Sequence, residues 1–172
     1  FWRGQSGLVT GWMRERLKLL LEHDINLFAY HLPLDAHPTL GNNAQLGQQL
    51  GLIGPGASAS GNITHFGEQQ LGWMASIEPN SNEALKQPET LHKHLEFILN
   101  RPVSSVFNVD AAIKKIAWCS GGAQSYFEAA INAGADAFIT GEMSEPQAHL
   151  ARECGVAYFA CGHHATERYG AP

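Results

Sequence analysis

The residues best placed to do chemistry together lie near the C-terminal end of the chain, in Ala160-Cys161-Gly162-His163-His164-Ala165-Thr166-Glu167-Arg168. If His163 opens a helix there, Glu167 follows one turn on and shares its face. An imidazole and a carboxylate on one face, just beyond a short apolar strand, make half of a metal site suited to zinc, iron or manganese. His164 stands three residues before Glu167 and shares a face as well, so spacing alone leaves His163 and His164 open. A polar-capped helix turn with a hydrogen-bonded histidine is the plainer alternative. A second cluster, His31-Leu32-Pro33-Leu34-Asp35-Ala36-His37-Pro38, follows the apolar run Leu27–Tyr30. Open α/β sheets place ligand chemistry past the carboxyl ends of strands, which is where His31, Asp35 and His37 would stand. The residues by themselves favour a proline-stiffened loop with Asp35 as a turn carboxylate. The third stretch is Cys119-Ser120-Gly121-Gly122. Its glycines fit a sharp strand-to-helix turn and match neither a P-loop nor a GxGxxG pattern. Anion binding by the turn ranks second, and a nucleophilic Cys119 third.

The elements that must position these residues alternate regularly from Ala112 onward. Ile113–Cys119 reads as a strand, Gln124–Ala133 as a helix, and Ala135–Thr140 as a strand. Glu145–Glu153 then reads as a helix and Val156–Cys161 as a strand. This order predicts a parallel sheet, with the turns at Cys119, Thr140-Gly141-Glu142 and Gly162-His163 facing one crevice. Upstream, Trp12–His23 has a helical period, and Leu27–Tyr30 reads as a buried strand of the same sheet. Asn42 or Asn43 is placed to cap a helix over Ala44–Leu50. The Gly/Pro/Ser-rich stretch 53–62 reads as a linker. Beyond it, a strand over Gln70–Glu78, a helix over Glu89–Leu99 and a strand over Val103–Val109 suggest a small separate lobe. His92 and His94 read as solvated. The expected fold class is α/β: a parallel-sheet main lobe of strand-turn-helix repeats (1–53 and 111–172), with a smaller α+β lobe inserted at 54–110.

With 172 residues, 44% of them hydrophobic, the chain can bury a sizeable core. A net charge of −5 gives no field that would draw in nucleic acid or anionic lipid. No apolar run is long enough to span a bilayer, and no leader pattern is visible. The 3 cysteines follow no CxxC spacing and read as buried thiols in a reducing, cytoplasmic compartment. The 9 histidines raise the prospect of a metal without placing it. The start at Phe1-Trp2 and the stop at Gly170-Ala171-Pro172 read as a piece of a longer polypeptide.

Taken together, His31 to Pro38 with Gly41-Asn42-Asn43, the Thr140-Gly141-Glu142 turn and Gly162-His163-His164-Ala165-Thr166-Glu167 resemble the Nif-three-like family, the GTP cyclohydrolase I type 2 homologs. The match is nearest the bacterial branch that includes the Escherichia coli homolog, and it runs through essentially the whole chain. The resemblance implies two α/β lobes, the second inserted into the first, and a homohexameric ring with a di-metal site on its inner face. It implies Asp35, His163 and Glu167 as metal ligands, which selects His163 over His164. Two divalent transition-metal ions per subunit are expected, whether zinc, iron, manganese or nickel. The family also uses a tandem His-His pair, expected a few residues before Phe1 and absent from this sequence. The activity implied is metal-dependent hydrolysis of a small phosphate- or nucleotide-like substrate. Glu142 and His31 are candidates for proton transfer or for supporting the ligands, and the Cys119 turn for holding an anion. The alternative is a non-catalytic metal-binding ring that serves as a protein-interaction scaffold. Neither a membrane nor a nucleic acid is an expected partner, and no guanine-reading motif is visible.

Overall fold

The computed structural model describes residues 4, 6–54, 59–80 and 82–171. It divides into two compact units, Phe1–Tyr30 and His31–Pro172. In the first, helix α1 (Gly11–Glu22) forms where the periodicity predicts it. The Arg16 guanidinium lies 4.7 Å from the centre of the Trp12 ring, and Lys18 approaches Glu22 at 3.8 Å, both one helical turn apart. The expected strand at Leu27–Tyr30 does not form. That segment is irregular, and Leu27, Phe28 and Tyr30 are 59%, 75% and 71% exposed. An apolar run signals a tendency to be buried, but a strand exists only where a neighbour completes its hydrogen-bond ladder. Among the described residues this segment has no strand partner.

The second unit begins with two short helices, α2 (Leu32–Ala36) and α3 (Asn42–Gln49). An antiparallel hairpin follows, β1 (Ala59–Phe66) and β2 (Gly72–Ile77). Helix α4 (Pro88–Leu99) leads to the short strand β3 (Ser104–Val106). Then come β4 (Lys115–Trp118), α5 (Phe127–Asn132), β5 (Ala137–Thr140), α6 (Glu145–Cys154), β6 (Ala157–Ala160) and α7 (His163–Glu167). All strands join one sheet in the order β1-β2-β4-β5-β6-β3. β4, β5 and β6 are parallel neighbours, as the alternation predicts.

Strand pleating sorts the core into two layers. Ile116 and Trp118, Ala137 and Ile139, and Ala157 and Phe159 pack with Leu46 of α3 and with Leu91, Leu95 and Leu99 of α4. Ala117, Phe138 and Tyr158 pack on the other face with Phe127 and Ala130 of α5 and Ala151 of α6. Central strands buried on both faces carry no polar alternation, which is why they read as continuous apolar runs.

The stretch expected as an inserted lobe, 54–110, contributes strands to both sides of the common sheet. Its strands are not a sheet of their own: β1 and β2 extend one side of the common sheet through β2–β4 pairing, and β3 closes the other against β6. Strand pairing over such sequence distances leaves no local trace. The supposed linker overlaps residues 59–62, which form the start of β1, while 55–58 lie outside the described residues. His92 and His94 are half-buried, not solvated. His92 Nδ1 lies 2.9 Å from Ser105 Oγ, and His94 Nε2 lies 3.3 Å from Leu50 O, tying α4 to β3 and to the end of α3. Among the described residues, no helix is long and apolar enough to cross a membrane.

Candidate metal centre

The parallel register of β4, β5 and β6 brings their carboxyl ends side by side, and the three turns continue the sheet's hydrogen bonding. Gly141 N–H donates to Gly121 O at 2.9 Å, and Gly162 N–H to Gly141 O at 2.8 Å. The turns pack too closely for side chains at two points. A β-carbon on Gly141 would lie 2.5 Å from Gly121 O and 2.7 Å from His163 Cα. One on Gly121, whose φ is 70°, would collide with the Glu167 carboxylate. Thr166 locks the arrangement from α7, its buried hydroxyl accepting Gly121 N–H at 2.9 Å.

Beneath these turns lies a polar network that the sequence did not announce. The buried polar side chains among the described residues are Asp35, Asn42, Asn43, Ser120, Thr140 and Thr166, and all belong to this end of the sheet. Asp35 Oδ1 accepts from Asn42 Nδ2 at 2.8 Å and from Ser120 Oγ at 3.3 Å. Asn43, fully buried, accepts Ser120 N–H on Oδ1 at 2.7 Å and donates Nδ2 to Leu71 O at 3.1 Å. It is thus a clamp between α3, the β1–β2 turn and the Ser120 turn. The expected helix cap is corrected here: Gly41 is the N-cap, and both asparagines sit inside the first turn facing the network. Nothing in local sequence separates a capping asparagine from a buried one, because burial is decided by the strands that arrive later.

His163 faces a carboxylate on each ring nitrogen. Nδ1 lies 2.6 Å from Glu142 Oε1, and Nε2 lies 3.3 Å from Glu167 Oε1. The Glu142 hydrogen bond is the main reason the imidazole is held above the ordinary histidine pKa. Partial burial opposes this, and the charges of Glu167, Glu142 and Asp35 add to it. The same bond lowers the Glu142 carboxyl. Glu142 is itself steadied, its backbone carbonyl accepting the Tyr158 hydroxyl at 2.6 Å.

The donor set suits a divalent cation. Two ligands at ~2.1 Å from one tetrahedral ion stand ~3.4 Å apart, and the Nε2–Oε1 separation is 3.3 Å. Metal-bound histidines commonly give their other ring N–H to a carboxylate, the position Glu142 holds here. Among the described residues, no group of three His, Cys, Asp or Glu side chains is gathered tightly enough to hold an ion unaided. The structure brings together His163, Glu167 and Glu142, and it bonds Asp35 to Ser120, in the turn that follows β4.

His31 stands exposed at the start of α2. Its carbonyl accepts Leu34 and Asp35 N–H at 3.1 and 3.4 Å, and its ring has no hydrogen bond among the described residues. His37 Nδ1 accepts Leu40 N–H at 3.1 Å, a turn-forming role. His164 is exposed and outside the cluster. Cys119 is buried, and burial pushes its thiol up to about 12, which leaves no thiolate for a nucleophile near neutrality.

Residues 1–172 as a whole match the model of the family described as Duf34/NIF3 (NGG1p interacting factor 3). A GTP cyclohydrolase 1 type 2 homolog of Neisseria meningitidis serogroup B is 48% identical over 170 residues, covering 99% of this chain and 63% of that protein. The homolog of the same name from Escherichia coli K12 is 44% identical over 172 residues, with 99% and 63% coverage. A solved structure described as protein ybgI of unknown function superposes with a TM-score of 0.80 at 42% identity, over 99% of this chain and 63% of that one. The chain therefore spans less than two thirds of the length of these relatives. On a match that runs from its first residue to its last, the chain belongs to the Duf34/NIF3 family.

Proposed function

We propose that the protein is a metal-dependent hydrolase of small phosphate- or nucleotide-like compounds, with Asp35, His163 and Glu167 as its contribution to a di-metal site. The observation that carries the reading is His163, set between Glu142 and Glu167 above a buried Asp35 network. Zinc, iron, manganese and nickel all accept such mixed imidazole and carboxylate donors. A divalent cation here would polarise the bond to be cleaved and make water more acidic. Within the chain, Glu142 holds the His163 ring through Nδ1 and keeps Nε2 turned toward Glu167. Asn42 and Ser120 occupy one oxygen of Asp35, which orients the carboxylate. His31, exposed and four residues before Asp35, is the group to exchange protons with solvent. A tandem histidine pair on a preceding segment would complete the ligand shell, and a homohexamer would enclose the site. The reduced thiols of Cys119, Cys154 and Cys161 fit a cytoplasmic setting.

The test is elemental analysis after incubation with each metal and gel filtration. It compares residues 1–172 with the same chain fused to the N-terminal segment of a relative that carries two adjacent histidines. The fused chain should retain metal and the shorter one bind at least ~10-fold more weakly. Asp35→Ala and His163→Ala should lower the metal content, and His164→Ala should not. Light scattering should find the fused chain hexameric, and a screen of phosphate esters and cyclic nucleotides should find metal-dependent turnover. Equal metal content in all variants rejects the site. Retained metal with no turnover favours the scaffold.

A further inference from the structure

Glu142 steers the His163 ring, yet its own carboxylate is not fixed by its backbone. Tyr158 holds the Glu142 carbonyl, while the side chain stands 46% exposed just past β5. One oxygen, Oε1, is taken by His163 Nδ1 at 2.6 Å. The last torsion of a glutamate is broad, so a carboxylate held at one oxygen can turn and carry the ring with it. A second contact is needed to stop that rotation.

Among the described residues, the donor to the other oxygen is Gln124, whose Nε2 lies 3.4 Å from Glu142 Oε2. The contact is long, but its acceptor is charged, which strengthens it. Gln124 reaches this point from a firm base, the short 3₁₀ turn Gln124–Tyr126 that leads into α5. Tyr126 pins that turn by donating its hydroxyl to Glu68 O at 2.9 Å, and Phe127 is buried just after it. Gly122 flanks the carboxylate and the imidazole: a β-carbon there would stand 3.4 Å from Glu142 Oε2 and 3.4 Å from His163 Cε1. The carboxylate also decides which way the amide points. Turned over, the amide would oppose its oxygen to the carboxylate, two acceptors face to face. Gln124 Oε1 is instead left enclosed with no partner among the described residues, a costly arrangement that persists because Glu142 holds Nε2.

We infer that Gln124 is a positioning residue of the candidate centre: it locks the Glu142 carboxylate and, through it, keeps His163 Nε2 turned toward Glu167. Local sequence gives no sign of this role, because Gln124 and Glu142 meet only where the ends of β4 and β5 lie side by side. The positioning itself needs no metal. Its consequence for metal affinity rests on the proposed function.

The test has two arms, both using Gln124→Met, which keeps the length of the side chain and removes the donor. In the metal-free 172-residue chain, NMR should show a nuclear Overhauser contact between His163 Hε1 and the Gly122 α-protons. Gln124→Met should weaken that contact without lowering the melting temperature. In the chain fused to the N-terminal histidine segment, zinc binding is read by competition with a chromophoric chelator. Gln124→Met should bind zinc ~10-fold more weakly, the scale of losing a group that orients a metal-bound histidine. In a Glu142→Ala background the same change should alter zinc binding less than ~2-fold, because a residue acting through Glu142 has nothing left to hold. The inference is overturned if the Overhauser contact is as strong in Gln124→Met as in the parent. It is overturned too if the variant holds zinc as tightly as a zinc-binding parent, or loses as much with Glu142 already removed. A contact that weakens as expected in a protein that binds no zinc would reject the metal centre and leave the positioning standing.

Discussion

Replacing Asn43 by alanine isolates the clamp that joins three elements at the candidate centre. The side chain is fully buried, accepts the Ser120 N–H at 2.7 Å and donates to Leu71 O at 3.1 Å. The longer contact to Asp35 O, 3.4 Å, adds little. Alanine removes both partners and returns no water to either. A buried group left unsatisfied costs ~1–3 kcal/mol. The Ser120 N–H should lie toward the upper end of that range, because the bond it loses is short, 2.7 Å, and buried. Leu71 O should lie toward the lower end, because Cys119 Sγ still approaches it at 3.8 Å. The expected loss is therefore about 2–4 kcal/mol, a large part of the ~5–15 kcal/mol that holds a typical domain together. Urea unfolding followed by tryptophan fluorescence reads it directly, because Trp118 Nε1 donates to the backbone carbonyl of Asn43 at 2.9 Å. Melting should fall by about 4–16 °C. Asn43→Asp keeps the acceptor for Ser120 but sets a second carboxylate near Asp35, so it should not rescue stability. A loss below ~1 kcal/mol for Asn43→Ala would refute the reasoning, since it would mean that water or a relaxed backbone satisfies both groups.

Three further outcomes follow from the same geometry. His163 should titrate by NMR above the ordinary ~6.5, and Glu142→Gln should bring it back down. The imidazole is raised by folding, so its stabilising contribution is complete below the unfolded value and fades as pH rises through the folded one. Glu142 is lowered, so its contribution fades as pH falls through its folded value. The pair should therefore contribute most between ~4.3 and ~6.5, by under ~1 kcal/mol because both groups are about half exposed. In the folded protein a thiol reagent at pH 8 should modify exposed Cys154 promptly, while buried Cys119 and Cys161, each pushed up to about 12 by desolvation, react only on unfolding. Rapid labelling of all three would contradict the packing under the Ser120 turn. Gly141→Ala should lower stability and metal retention together, because its β-carbon would meet Gly121 O at 2.5 Å and His163 Cα at 2.7 Å. A fully stable, metal-retaining alanine variant would show that the turns are not packed this closely.

The sequence by itself determined the alternation from β4 to α7 and, with it, the neighbourhood of Glu142, His163 and Glu167. Those features are written locally. Apolar runs of strand length are punctuated by glycine, parallel strands follow from the intervening helices, and the His163–Glu167 spacing is one helical turn. Asp35 is expected as a ligand only through the family resemblance, since its own surroundings read as a loop. Only the tertiary structure decided the rest. It set Asp35 against Ser120, 85 residues away, because α2 and α3 dock where β4 ends. It made β1 and β2 part of the main sheet, because strand pairing is a property of two segments and neither reveals it alone. For the same reason it left Leu27–Tyr30 without a ladder, although its composition is that of a strand. Asn42 and Asn43 became buried linkers because burial depends on what packs above a helix start, and one helix turn carries no record of that.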